Sequence, residues 1–562
     1  MRHGSNEAVC CLLKRVRAFA NLLIEKHHYD WMKGFVMRNW RRLFWLLFGL
    51  HVATPLQAAV FAEDESQGLG KVYLANSGSP DAQAAFNRGL AALHSFWYSE
   101  ARDAFQEAQA IDDNFALAYW GEALTHDYPF GSNPDVETAK AILNRLGRNA
   151  GARQTKAVTD MEKRLLGAVE ALFGEGEREE REDNYFSVMR DLHSDYPHDV
   201  EIASFYALSI LGKSTLGQDF QDLMKAAAVL EPFFDRYPEH PGVVHYLIHA
   251  YDDPVHAVLG LRMANVYARI APESSHALHM PAHIYVQLGM WFEAEESNER
   301  SFNSSVTSAT ARGLDGNAYD THSLNWLMYT QLQLGKVDAA RGSLRKVKEI
   351  ARDTGNTFSI AQDAMMTSRF AIETGEWDVA DSAQVADDFT STMMKTSVLI
   401  GAGMAAAAQK DFEEARAIVS SLELLGAQEE ASENISRANR IRAARLVIET
   451  SIADNQNELE KAIELARLAA QVERQLPLPV GPPSPYQPAH ELLGELLLKS
   501  GDASGAIVAY QMALERTPQR PPALLGLLLA AEAANDRALA EQTRATLSKF
   551  WAEADHEVTT RI

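Results

Sequence analysis

Cysteine is nearly missing from this 562-residue chain: there are two, Cys10 and Cys11, side by side near the start. Past that point no disulfide can staple the fold, and no thiolate can bind a metal or attack a substrate. A Cys-x-x-Cys-His haem attachment is excluded with them, so the chemistry implied has no haem. Nucleotide chemistry lacks its cradle too, because Gly212-Lys213-Ser214 is preceded by Ala207 where a phosphate loop needs its first glycine. There is no Gly-x-Ser-x-Gly elbow. His490-Glu491 opens like a zinc-protease helix, but position 494 is Gly494 rather than histidine. Positive charge is scarce: residues 63–562 hold 44 Lys+Arg against 73 Asp+Glu. Phosphate backbones need clustered cations, so a nucleic-acid partner is excluded.

What is present begins with a targeting segment. Met37-Arg38-Asn39-Trp40-Arg41-Arg42 is a basic n-region, Leu43–Ala53 an 11-residue apolar stretch, and Val60-Phe61-Ala62 a small-residue cleavage site. The apolar stretch falls short of the roughly 20 residues that span a bilayer. Residues 37–62 therefore read as a signal peptide, residues 1–36 as an upstream extension with the true start near Met37, and the mature chain as periplasmic or secreted with no stable membrane span. The competing reading is a single-pass signal anchor.

Composition favours helix, with Ala, Leu and Glu abundant and β-branched runs few. Gly89, Tyr98, Ala101, Phe105 and Ala108 occupy positions 8, 17, 20, 24 and 27 of a 34-residue unit. Leu493, Gly494, Gly501, Ala506, Tyr510, Ala513 and Pro518 occupy positions 7, 8, 15, 20, 24, 27 and 32 of another. This is the tetratricopeptide (TPR) pattern, in which two antiparallel helices meet where only small side chains fit. The register recurs with Gly289 and Ala294, Gly335 and Ala340, and Gly375 and Ala380, at longer spacings. The expected fold is an all-α, TPR-like α-solenoid. It divides into residues 63–475 with irregular middle repeats, a Pro-rich connection at 476–488 that can cover part of the groove, and a C-terminal repeat pair at 489–562.

On that scaffold His245 and His249 fall at positions 5 and 9 of one repeat, and His279 and His283 at positions 5 and 9 of the next, 34 residues on. An i,i+4 pair lies on one helix face and neighbouring helices pack about 8–10 Å apart, so two such pairs can converge on one point. With His276 they form a candidate site for a transition metal, Zn, Cu or Fe, which imidazole suits, for metal-dependent catalysis or metal handling. Asp252, Asp253, Glu273 and Asp320 are nearby carboxylates. His94, Trp120, His322, Trp326 and Glu491 count onto the same concave face as candidate groove residues. Pro281 is expected to disfavour helix at Met280 and to spoil the second pair's i,i+4 geometry. Two other readings stay open: a polar groove for a peptide or protein partner, and structural hydrogen bonding.

Tyr119-Trp120-Gly121-Glu122-Ala123, His245-Tyr246-Leu247-Ile248-His249, His279-Met280-Pro281-Ala282-His283-Ile284-Tyr285 and Gly481-Pro482-Pro483 resemble a family of secreted bacterial tetratricopeptide-repeat proteins. The resemblance extends over nearly all of residues 80–555 and implies the repeat fold and export. Members often have His-Pro after the Trp-Gly-Glu-Ala segment, where this chain has Tyr128-Pro129.

Overall fold

The computed structural model describes residues 68–130, 134–214, 220–382 and 391–561. The expected upstream extension and signal peptide, and both cysteines, lie outside the described residues. Residues from Asp64 to Ile562 form one compact unit. Among the described residues all regular structure is helical, with no strand. Consecutive helices pack as hairpins, and many also touch the next helix but one, the contact pattern of a repeat solenoid.

Small residues explain how the helices come so close. α1 (Gln83–His94) and α2 (Tyr98–Ile111) form the first hairpin. A Cβ on Gly89 would lie 2.9 Å from the Phe105 ring, and one on Gly121 of the following repeat 2.3 Å from it. The ring is thus wedged between two helices that glycine alone lets approach. The same device recurs at the far end, where Tyr510 sits against Gly494 and Gly526 at 2.8 and 2.1 Å by the same measure. Gly289, Gly335 and Gly375 end their helices in the left-handed region, at φ 67°, 69° and 76°. A β-carbon is disfavoured in that conformation.

The elements that carry the histidines are α3 (Pro241–Ala250), α4 (Ala257–Ile270), α5 (Ser275–His279), α6 (Pro281–Leu288), α7 (Trp291–Ala311) and α8 (Thr321–Gln333). α3 starts cleanly because Pro241 takes the first helical position and the His240 ring accepts the Val243 N–H at 3.1 Å. α5 starts at Ser274, whose hydroxyl accepts the Ala277 N–H.

The C-terminal repeats fold back on the middle of the array. The Trp291 indole donates to the Gln519 carbonyl at 3.0 Å, and the Trp551 indole to the Gln333 carbonyl at 3.1 Å. Between them Arg520, almost fully buried, binds Glu373 at 2.9 Å and Glu491 at 2.6 Å. The Pro-rich connection follows this seam: the Pro479 carbonyl accepts from Gln287 at 2.8 Å, and Gly481 lies so close to Trp326 that a Cβ there would meet its ring at 2.2 Å.

Candidate metal centre

Two groups of three histidines stand next to each other. In the first, His249 Nε2 and His276 Nε2 each lie 3.1 Å from His245 Nε2. In the second, His279 Nε2 lies 3.0 Å from His283 Nε2, with a ring nitrogen of His322 completing the group. Within each group the three candidate ligand atoms lie within 4.8 Å of one another. A tetrahedral ion bonded to nitrogens at about 2.0–2.1 Å separates its ligands by about 3.3 Å.

The helix break acts differently from the sequence expectation. Met280 is helical at φ −54° and ψ −35°, and Pro281 opens α6 as its first residue rather than interrupting it. The Met280 N–H still reaches the His276 carbonyl at 3.0 Å. Proline needs no donor at that position, so the chain loses little, and His279 and His283 keep facing each other across the junction. A second difference concerns number: the five expected ligands form two sites rather than converging on one point, and His322 joins the second.

The far side of several rings is anchored. His245 Nδ1 lies 2.6 Å from the His94 carbonyl, which can only accept, so Nδ1 carries the hydrogen. His283 Nδ1 lies 2.5 Å from an Asp252 carboxylate oxygen. His279 Nδ1 lies 2.6 Å from Asn298 Oδ1, and the Asn298 amide is oriented by donating to the Ala294 carbonyl at 2.7 Å. In neutral rings each of these three must present its Nε2 lone pair to the site. His279 and His283 therefore face each other acceptor to acceptor. His245 has one in-plane lone pair for two neighbouring nitrogens, so at most one of them can donate to it.

The charged form is disfavoured at four of these rings. Burial holds His245 down at about 3 despite the bond to the His94 carbonyl, and burial followed by neighbouring histidines holds His249, His276 and His279 well below the usual range. His245 and His279 are fully buried, His249 and His276 half-buried, and His322 is exposed and opens the second group to solvent.

Aromatic rings wall the first group. Phe130 stacks on His249 at 4.2 Å, and Phe96 meets His245 edge-on at 4.5 Å. Phe96 holds φ 52°, a costly backbone for a bulky side chain. Trp326 lies 4.4 Å from the His283 ring and 5.0 Å from that of His279.

The other candidate residues fall elsewhere. His94 does not face an open groove: fully buried, it bonds Glu201 at 2.8 Å through Nε2 and Tyr246 Oη at 3.0 Å through Nδ1. His240 approaches the other Glu201 oxygen at 3.1 Å, and the Tyr73 N–H donates to it at 2.5 Å. Burial alone would raise Glu201, but His240 and His94 hold it below the ordinary carboxylate range. Trp120 is buried edge-on to Phe205 at 5.1 Å, away from the histidine groups. Glu491 belongs to the Arg520 seam, where burial raises it to about 7 against the pull of Arg520. None of the four nearby carboxylates belongs to either histidine group. Asp252 orients His283, while Asp253 and Asp320 receive backbone N–H groups at helix starts.

Sequence reasoning missed Asn298, Phe96, Phe130 and Glu201. Asn298 had a readable signal: counted from Gly289 at position 15 it occupies position 24, where Phe105 and Tyr510 stand in the regular repeats. A polar residue replaces a packing ring just where a ligand needs an acceptor. Phe130 and Glu201 reach the site through tertiary packing alone.

No protein-family model and no curated protein matches the sequence. Among solved structures the chain is similar to yeast Tom70, at 11% identity over 84% of this chain and 92% of that one, with a TM-score of 0.32. It is also similar to the TPR domain of P58(IPK), at 13% identity over 81% and 99% with a TM-score of 0.21. The APC/C hetero-tetramer Cut9-Hcn1 gives 12% identity over 85% and 95%, with a TM-score of 0.28. At such scores none of the three bears on what this chain binds or does.

Proposed function

We propose that this protein is an exported, TPR-like metalloprotein that binds transition metal through imidazole alone and uses it in catalysis. The observation that carries the reading is the pair His279 and His283: both Nδ1 atoms are tied to acceptors, so in neutral rings two Nε2 lone pairs meet at 3.0 Å in a buried place. A cation between them turns that repulsion into two bonds. The anchoring of Nδ1 by a carbonyl, an amide oxygen and a carboxylate is the usual outer shell of metal-bound histidine. Three protein ligands leave a fourth position open, as catalytic zinc sites do and structural ones do not. Export rests on the basic and apolar segments at 37–62.

A peptide-binding scaffold is the weaker reading at this face, because the chain's own Pro479 and Gly481 already occupy the surface beside His283 and Trp326. The test is metal analysis of protein purified without a histidine tag. Wild type is expected to retain Zn, Cu or Fe at a ratio of at least one per chain, and a His245→Ala/His279→Ala double variant to retain almost none. Equal, substoichiometric metal in both would sink the proposal.

A further inference from the structure

The two histidine groups are too close to be independent. His276 and His279 share the short helix α5, with ring centres 6.2 Å apart, although they belong to different groups. His249 and His283, on α3 and α6, are 6.0 Å apart, also across the boundary. Within the groups the corresponding separations are 4.8 Å for His245 and His249 and 4.9 Å for His279 and His283. No residue intervenes in sequence between α5 and α6 except Met280, whose side chain is buried in the core. Ions held by the two groups would be near neighbours, and paired catalytic ions in general sit about 3.5–4 Å apart.

The donor set narrows the choice of ion. Six neutral imidazoles supply no negative charge, and neither group includes a carboxylate or a thiolate. Two divalent ions would bring four positive charges together, with Asp252 behind His283 as the anion bonded to a ring of the groups. Charge buried without compensation is costly. Ferrous sites that activate oxygen usually include a carboxylate ligand, which is missing here. Copper stands highest among the divalent ions in affinity for nitrogen donors, and in its reduced form, Cu(I), it carries a single charge and accepts three-coordinate geometry.

We propose that the two groups form one dinuclear copper centre whose small substrate is dioxygen, a deepening that rests on the metal-binding reading above. Each Cu(I) is held by three imidazoles, His245, His249 and His276 on one side and His279, His283 and His322 on the other. Each keeps an open position toward its neighbour. Dioxygen entering between them takes one electron from each copper: two Cu(I) become two Cu(II), and the oxygen is reduced by two electrons to a bridging peroxide. No proton is needed for that step. The exposed His322 edge of the second group is the way in.

The experiment uses the untagged full-length protein, stripped of metal and loaded with Cu(I) without air. Two coppers per chain are expected. Adding oxygen should consume one O2 per two coppers and give Cu(II) whose spins couple, so that the electron paramagnetic resonance signal falls far below the total copper. A His249→Ala variant should hold one copper and, once oxidised, show the full signal of an isolated Cu(II). Circular dichroism of the metal-free variant shows whether it folds, and His276→Ala replaces it if it does not. One copper per wild-type chain, or two with full uncoupled signal, would overturn the dinuclear proposal while leaving metal binding intact. Retention of zinc with no uptake of copper would overturn the choice of ion. Failure to retain any metal would instead remove the reading beneath it.

Discussion

The molecule holds two kinds of histidine cluster a few residues apart, and they differ in how their hydrogen bonds are settled. In the cluster of His94, His240 and Glu201, one carboxylate stands between two rings and also accepts from the Tyr73 backbone. The cluster carries its own carboxylate, and a metal would have to displace the His94–Glu201 and Tyr73–Glu201 bonds. In the groups around His245 and His279 the far nitrogens are satisfied by the His94 carbonyl, Asn298 and Asp252, while the near nitrogens are left with more acceptors than donors in neutral rings. Composition alone makes both clusters look like ligand sets. Accounting for each lone pair separates the one that braces the fold from the ones poised for a cation.

The two are also linked, since the His94 ring is bound by Glu201 while its carbonyl fixes the tautomer of His245. Gly242 makes that possible, because a Cβ there would come within 2.5 Å of the His94 ring.

Replacing residues on each side should widen the contrast. The largest effect is expected for Glu201→Gln, which leaves His94 and His240 without their buried anion and should cost about 3–5 kcal/mol of folding stability. That loss should be the same with and without added metal, as chemical denaturation can measure. Its pH dependence has a defined sign: Glu201 is held below the ordinary carboxylate range, so its contribution is present above about pH 4.3 and is lost as pH falls toward its folded value. The wild-type advantage over Glu201→Gln should therefore shrink in acid and stay constant from pH 6 to 8.

His279→Ala should behave in the opposite way. It removes one acceptor from an opposed pair, so the metal-free protein should change little for a buried substitution. Metal that stabilises wild type by about 2.7 kcal/mol at a hundredfold excess over Kd should lose the share contributed by the second group. Thermal melts with and without metal would show it, and an equal metal-induced shift in both proteins would contradict the assignment.

Asn298→Leu tests the support rather than the ligand. Without the amide oxygen, His279 can place its hydrogen on either nitrogen, and metal affinity at the second group should fall about 10–100-fold with the fold intact. Competition against a chelator reads this directly. An unchanged affinity would mean that the amide only fills space.

Much of this architecture could be read before the structure. The glycines at position 15 and the aromatic residues at position 24 act locally within one hairpin, so their spacing carries the repeat. The histidine pairs were legible for the same reason, since positions 5 and 9 of adjacent units are repeated by one period. Division into two groups was not legible, because it depends on how α5 and α6 meet at Met280, and proline statistics argued for a break there. Nor could register alone tell His94 from His322. Both count toward the concave side, but the partner that buries His94, Glu201, is over a hundred residues away in sequence. The Arg520 seam and the partners of the Pro-rich connection were not legible either, because they use long-range contacts that no repeat pattern encodes.

X-ray absorption at the metal edge of the untagged, metal-loaded protein tests the central claim most directly. The account predicts a shell of about three nitrogens near 2.0 Å with the outer scattering pattern of imidazole, no sulfur, and collapse of that pattern in the His245→Ala/His279→Ala variant. An oxygen-dominated shell that the double variant leaves unchanged would place the metal on surface carboxylates and contradict it.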